Sequence, residues 1–250
     1  MEERRRRIVE LVNTMGNVSF AQLKERFSDV SEMTLRTDLK YLDETHQILR
    51  VYGGAKSVYS VIGSDDLLSR RRMRNLPQKQ AIAKKAVVFL AENRSVFLDS
   101  GSTVTELVRC MPDMQMLIFA SGVDYLPELA QLSKLEVHLF GGKMNRNSMC
   151  VGGPQTLKEL SQLHFDLAIL STTSYNENAG FACGDADAAE LKRAVLQCTD
   201  RVIMLMDSQK IGLSSTFSFA ALDQIDVVVT DEQVPKEFRK ACADKQIELY

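Results

Sequence analysis

Cysteine is scarce and unpatterned. Cys110, Cys150, Cys183, Cys198 and Cys242 are an odd number, scattered, with no C-x-x-C pair and no neighbouring histidine to complete a metal site. Buried, reduced thiols are the expectation, with no structural metal and no cofactor. No window approaches the roughly 18 consecutive apolar residues that a membrane-spanning helix needs. The Arg-rich start runs into an amphipathic pattern instead of the apolar core of a signal peptide. A cytoplasmic, nucleoid-associated protein without a membrane partner is therefore expected. Proline- or glycine-rich tracts and internal repeats are also missing, so disordered linkers and solenoids are not indicated.

What remains is an ordinary globular composition, 45% hydrophobic and 26% charged, over 250 residues. That length accommodates one large domain or a small one joined to a medium one. The net charge of −2 hides an asymmetry. Residues 1–85 carry 17 Lys and Arg against 11 Asp and Glu, and the remainder carries 14 against 22. The basic part is the candidate polyanion binder, although much of its surplus comes from Arg70, Arg71, Arg72 and Arg74.

Near the N-terminus, Ile8, Leu11, Val12 and Met15 recur at helical spacing, which buries one stripe and leaves Arg4 to Arg7 to solvent or phosphate. Ser19 followed by Gln22 reads as a capping box that opens a second helix running through Phe27. A turn over 28–30 leads to Ser31, which caps a third helix with Leu35, Leu39 and Leu42 inward. Its outward face carries Met33, Arg36, Thr37, Lys40 and Tyr41, with Ser31 and Thr34 at the N-terminal end. Arginine pairs bidentately with guanine or grips phosphate, and hydroxyls at a helix start favour phosphate, so this face suits the major groove. Asp38 is expected to serve as an internal ion-pair partner. The run 48–55 then places β-prone residues before Gly53 and Gly54, as in a β wing.

These residues resemble the DeoR family of bacterial regulators. The family's recognition-helix pattern, V-S-x-x-T-[IL]-R-[RK]-D-L, is met by Val30 to Leu39, and its wing pattern, R-x-H-G-G-A, by Arg50 to Ala55. Thr37 stands where the second basic residue is usual, and Tyr52 where histidine is usual. The reading and the resemblance together make Ser19, Gln22, Ser31, Thr34, Arg36, Thr37, Lys40, Arg50, Tyr52, Gly53 and Gly54 the candidate contacts to double-stranded operator DNA.

Beyond a connector over 58–75, strand-length apolar runs alternate with helical patterns. This predicts an α/β domain over 76–250 with a mostly parallel sheet covered on both faces, following a winged helix-turn-helix over 1–57. Strand 96–98 runs into Asp99, Ser100, Gly101, Ser102 and Thr103 before a helix, an arrangement suited to cradling an anion. Gly141, Gly142, Lys143 and Arg146 follow a second strand, and Asp207 and Lys210 a third. Lys143, Arg146 and Lys210 are candidate phosphate ligands, and Asp99, Glu190 and Asp207 candidate acceptors for sugar hydroxyls.

The resemblance extends here. Family members carry a Rossmann-like, phosphosugar-isomerase-like sensor domain with D-S-G-T-T, G-G, E-x-x-K-R-like and D-S-S-K-F-G segments. The corresponding residues are Asp99 to Thr103, Gly141-Gly142, Glu190 to Arg193, which adds Lys192, and Asp207 to Gly212. One stretch departs: where the family often has G-A-x-G-I-D, this chain reads Ser171 to Asn176 and lacks an acidic residue that would move a proton. The function so implied is non-enzymatic, without catalytic residues. It is that of a homo-oligomeric repressor, dimer or tetramer, of a carbohydrate-utilisation operon, relieved by a small phosphorylated sugar effector. The rival reading is a sugar-phosphate isomerase carrying an accessory DNA-binding head.

Overall fold

The structure, a computed structural model, describes residues 1–45, 47–57 and 68–250; the side chain of Arg70 also lies outside the description. The chain divides into two compact units, Met1–Arg74 and Asn75–Tyr250. The expected connector over 58–75 falls largely on residues outside the described ones. Its described part contains a short helix that groups with the first unit.

The first unit runs α1 (Glu2–Met15), β1 (Asn17–Ser19), α2 (Phe20–Arg26), α3 (Glu32–Glu44), β2 (Ile48–Val51), β3 (Gly54–Ser57) and α4 (Leu68–Met73). Ile8 and Val12 of α1 pack with Leu23, Phe27, Leu35, Leu39, Leu42 and Ile48 in one apolar cluster. Each such side chain contributes about 1.5–3 kcal/mol when fully buried. Met15, expected inward, is exposed, because α1 ends there at Gly16 with φ +72°. Strand β1 was not anticipated. It pairs antiparallel with β3, which pairs antiparallel with β2, so the wing is a three-stranded sheet.

Arg4 and Arg5 are also not free for phosphate. Their Nε atoms donate to Asp38 Oδ2 and Oδ1 at 2.6 Å and 2.8 Å, which ties α1 to α3 through a buried carboxylate. Burial pushes the Asp38 pKa up, but the hydrogen bonds from Arg4 and Arg5 outweigh it, and the group titrates below its ordinary value of 3.8. A depressed carboxylate pKa contributes stability above the unfolded-state value and loses it as pH falls through the folded one. Wild type is therefore more stable than Asp38→Asn at neutral pH, and the difference shrinks as the pH falls below 3.8 toward the lower folded-state value. Denaturant titrations of both proteins from pH 7 to pH 2.5 check this; a difference that does not shrink toward the acid end contradicts it.

The second unit contains α5 (Leu76–Ala86), β4 (Ser95–Leu98), α6 (Ser102–Arg109), β5 (Met116–Ala120), α7 (Leu126–Leu129), β6 (Leu135–Leu139), β7 (Lys143–Asn145) and β8 (Cys150–Gly152). It continues with α8 (Pro154–Leu160), β9 (Phe165–Ser171), β10 (Ser174–Asn176), β11 (Gly180–Cys183), α9 (Ala186–Gln197), β12 (Thr199–Leu205), β13 (Phe217–Ala220), β14 (Val227–Val229), α10 (Lys236–Asp244) and β15 (Glu248–Leu249). Seven strands form one sheet in the order β15-β14-β12-β9-β4-β5-β6, with every pairing parallel.

Strand side chains alternate between the two faces. Val96, Leu98, Leu167, Ile169, Ile203 and Leu205 meet residues of α5, α6 and α7 on one side. On the other side Phe97, Ala168, Leu170, Val202 and Met204 meet α8, α9 and α10. Both faces are covered, which is why the central strands read as unbroken apolar runs. Two features were not expected: the β7–β8 hairpin and a small antiparallel sheet in the order β10-β11-β13. The stretch 171–176, expected as a loop, is instead the end of β9 followed by β10. The five thiols are free as expected, but Cys110 is exposed and Cys198 only half-buried.

Candidate functional site

In the first unit the local chemistry of each helix start is already satisfied. Ser19 Oγ accepts from the Gln22 N–H at 3.2 Å, and the Ser19 N–H donates to Gln22 Oε1 at 2.9 Å, forming a complete capping box. Ser31 Oγ accepts from the Thr34 N–H at 3.2 Å and lies 2.8 Å from Thr34 Oγ1. Thr37 Oγ1 donates back to the Met33 carbonyl at 2.9 Å. All five side chains have structural partners, although Ser19, Gln22, Ser31 and Thr37 remain solvent-facing.

Arg36 differs. It is exposed, has no ion-pair partner among the described residues, and its guanidinium lies 4.4 Å from the centre of the Phe20 ring. This cation–π contact between α2 and α3 pre-orients the side chain while leaving the planar fork available. Lys40 is also exposed and stands 3.7 Å from Glu44, a pair that costs little to open in water. At the wing, Gly53 takes φ +81° and the adjacent Tyr52 projects fully into solvent. Arg50 is exposed, with its backbone N–H held by Asp43 at 2.9 Å. Gly54 is a correction: it is buried, and an added Cβ would stand 2.2 Å from the Val18 carbonyl oxygen. Close approach of β3 to β1, not DNA contact, requires that glycine. The motif reading also passed over Lys56, an exposed cation on β3.

In the second unit the parallel order brings the C-terminal ends of β4, β9 and β12 side by side. The segment from Asp99 to Thr103 leaves β4 and enters α6. Gly101 adopts φ +127°, and a Cβ there would meet Ser171 Oγ at 2.7 Å, so both backbone angle and space demand glycine. Helix α6 starts with no side-chain cap. Thr103 Oγ1 is buried and has no hydrogen-bond partner among the described residues. Ser100 and Ser102 keep only 8% and 7% of their surface open, so access to this helix start is narrow.

The charged candidates around it largely engage one another. Asp99 Oδ2 accepts from the Ser171 N–H at 2.8 Å, lies 2.9 Å from Ser171 Oγ and pairs with Lys192 Nζ. Lys192 Nζ also donates to the Ser171 carbonyl at 2.8 Å, and both ends of the ion pair are buried. Lys210 Nζ donates to the Thr172 carbonyl at 2.8 Å and stands 3.6 Å from Asp207 Oδ2, whose other oxygen accepts from Asn75 Nδ2 at 3.1 Å. These groups were expected to face a ligand; the structure uses them to brace three strand ends against one another.

The remaining candidates lie elsewhere. Gly142, with φ +144°, is needed because a Cβ would come within 2.3 Å of Thr156 Oγ1 and 2.7 Å of the Gly152 carbonyl oxygen. Gly141 donates its N–H to Glu159 at 3.1 Å and accepts from Thr156 Oγ1 at 2.7 Å. Lys143 is exposed and reaches Asp187 at 3.1 Å, while Asp185 caps α9 by accepting from the Ala188 N–H at 2.7 Å. Arg146, in the β7–β8 turn, is exposed with no ion-pair partner among the described residues. Glu190 is exposed and two residues from Lys192, hence on the opposite side of α9.

Sequence reasoning missed Tyr125 and Ser171. The buried Tyr125 hydroxyl lies 2.9 Å and 3.0 Å from the Leu98 and Asp99 carbonyl oxygens and accepts from the Gly122 N–H at 3.1 Å, joining the ends of β4 and β5. No local pattern announces a contact between residues 26 positions apart. Cys150, on β8, carries a thiol that burial, together with the nearby Asp99 carboxylate, pushes up to about 11, so it stays protonated and unreactive.

Comparison with known proteins agrees along the chain. Residues 4–61 match the DeoR-like helix-turn-helix domain, and residues 74–232 match the DeoR C terminal sensor domain. The HTH-type transcriptional regulator GlpR of Haloferax volcanii is 34% identical over 95% of this chain and 92% of its own. The transcriptional repressor AccR of Agrobacterium fabrum is 30% identical over 96% and 95%. The L-fucose operon activator of Haemophilus influenzae is 27% identical over 96% of each. Among solved structures, ribose 5-phosphate isomerase A of Methanocaldococcus jannaschii aligns over 55% of each chain at 14% identity and a TM-score of 0.41. The full-length relatives named here are transcriptional regulators, not enzymes, and the isomerase reading of the sequence falls away. The chain belongs to the DeoR family of transcriptional regulators, with a DNA-binding helix-turn-helix domain and a C-terminal domain that senses a small effector.

Proposed function

We propose that this regulator is a cytoplasmic repressor of a carbohydrate-utilisation operon, that it binds operator DNA as a homo-oligomer, and that a phosphorylated sugar releases it. The DNA half of the reading is supported by Arg36, Lys40, Arg50 and Tyr52, which are exposed on the third helix and the wing. Recognition helix and wing are the parts that a winged helix-turn-helix lays against a duplex. Relatives named as a transcriptional repressor and as an L-fucose operon activator support this reading.

One observation carries the effector half. Helix α6 begins without a side-chain cap at the carboxyl edge of three adjacent parallel strands, beside a buried Thr103 hydroxyl that has no partner among the described residues. Free backbone N–H groups and the helix dipole favour an anion there, and a buried hydroxyl without a partner is costly unless a ligand supplies one. The braced carboxylates and lysines around it hold the strand ends rigid, so an arriving phosphate meets a pre-formed site. Release from DNA then requires only that the effector bind the DNA-free form more tightly than the DNA-bound one. A 100-fold loss of operator affinity corresponds to about 2.7 kcal/mol of that difference.

Thermal unfolding with a panel of aldose and ketose phosphates, the free sugars and inorganic phosphate tests the assignment. A selective sugar phosphate raises the melting temperature, because a ligand of the folded state stabilises it by mass action. Thr103→Val removes the unpaired hydroxyl without altering volume much. The variant keeps the melting temperature of wild type or slightly exceeds it, and loses at least ten-fold in affinity for the stabilising sugar phosphate. Undiminished binding by this variant removes α6 from the effector site.

A further inference from the structure

Strand β6 ends the seven-stranded sheet, and its outer side has no strand partner among the described residues. The Phe140 N–H donates inward to the Ala120 carbonyl, so by the alternation of a strand the N–H and C=O groups of Leu135, Val137 and Leu139 point outward. Edge strands are ordinarily guarded by proline, lysine, a bulge or an inward charge. Leu135–Leu139 contains no proline, lysine or bulge, Lys134 and Glu136 being the charges beside and on it, and Val137 and Leu139 are 37% and 47% exposed.

The sequence of this edge is self-complementary. Leu135-Glu136-Val137-His138-Leu139 reads apolar, acidic, apolar, basic, apolar about its centre. When two copies run antiparallel across a twofold axis at Val137, Val137 faces Val137, Leu135 faces Leu139, and Glu136 faces His138. The outward backbone groups of 135, 137 and 139 fall in the hydrogen-bonded positions of that register. The Glu136–His138 pairs lie on the other face of the sheet, where His138 already stacks on Phe119 and meets its own Glu136 at 2.9 Å. A carboxylate directly across a ladder from an imidazole accepts its N–H, and an isologous twofold interface requires such self-matching.

We infer that β6 is an interface between two copies of this chain, joined in antiparallel register into one fourteen-stranded sheet. The function proposed above needs an oligomer but names no surface; this inference supplies one. Light scattering on the full chain compares wild type with Val137→Lys, which sets two ammonium groups against each other at the axis. The expected result is that the mass of the particle falls by half while the variant's thermal unfolding shows it folded.

The register is read separately by oxidation in a Cys110→Ser background, since Cys110 is exposed. Val137→Cys brings the two Cα atoms to about 5.5 Å, within disulfide reach, and cross-links two chains. Leu139→Cys leaves the corresponding atoms about 14 Å apart and does not. An oligomeric wild type in which Val137→Lys keeps its mass and Val137→Cys stays uncross-linked places the interface elsewhere and overturns the inference alone. A wild type that is monomeric at micromolar concentration overturns the inference and the proposed oligomeric repressor together.

Discussion

Replacing Lys192 by alanine lowers the stability of the 75–250 unit by about 3–5 kcal/mol, the range for breaking a buried ion pair by removing one partner. The reason lies in what Asp99 retains. Its carboxylate is almost wholly buried at the end of β4, and without Lys192 only the Ser171 N–H and hydroxyl remain as donors. A charge in that position is far more costly than an amide. Asp99→Asn combined with Lys192→Met therefore recovers much of the loss, because a neutral pair needs no cation. Urea unfolding of the wild type, Lys192→Ala and the double variant measures both the loss and the recovery. A Lys192→Ala loss under 1 kcal/mol, or no recovery in the double variant, contradicts the bracing role assigned to the pair.

The second large effect falls on DNA. Arg36→Ala removes a guanidinium that is exposed and stacked on Phe20, so the variant folds with nearly unchanged stability. Loss of a bidentate base contact weakens operator binding by about 1–3 kcal/mol per half-site, that is, about 5- to 150-fold for each. Arg36→Lys keeps the charge and loses the fork, so it retains non-specific binding and its salt dependence while losing discrimination between operator and random duplex. Fluorescence anisotropy at two salt concentrations separates the outcomes. Operator affinity unchanged in Arg36→Ala moves base reading away from this residue.

The elements whose information is local were legible in the sequence. Ser19 with Gln22, and Ser31 with Thr34, announce helix starts because a cap is a contact across three residues. Leu35, Leu39 and Leu42 announce the buried face of α3 by their period. The alternation of apolar runs with helical stretches foretold a parallel sheet. The features that escaped notice depend on partners far along the chain. Strand β1 exists only because β3 returns to it from residues 54–57, and Gly54 looks like part of a DNA-reading turn until Val18 is placed beside it.

The site in the second unit shows the same division. The Asp99–Thr103 turn was visible as a chemical pattern, but nothing near Asp99 reveals that Lys192, 93 residues later, neutralises it. The same motif residues therefore changed role once folded: Asp99, Lys192, Asp207 and Lys210 hold strand ends, and the uncapped start of α6 with Thr103 is what remains open to an anion. The departure at Ser171 also acquires a physical meaning. Its hydroxyl fills the space beside Gly101 and has both Asp99 Oδ2, at 2.9 Å, and the Ser100 carbonyl, at 2.8 Å, as acceptors for its one proton.

The central claim joins the two units: binding at the start of α6 changes affinity for DNA. Its most direct test uses the duplex that the full-length protein selects from a random pool, titrated at fixed salt with the sugar phosphate that stabilises the protein against heat. Saturating ligand is predicted to weaken duplex binding at least ten-fold, and the midpoint of that weakening moves to at least ten-fold higher ligand concentration in Thr103→Val, which binds the duplex normally without ligand. Duplex affinity that does not change as this ligand saturates wild type contradicts the account.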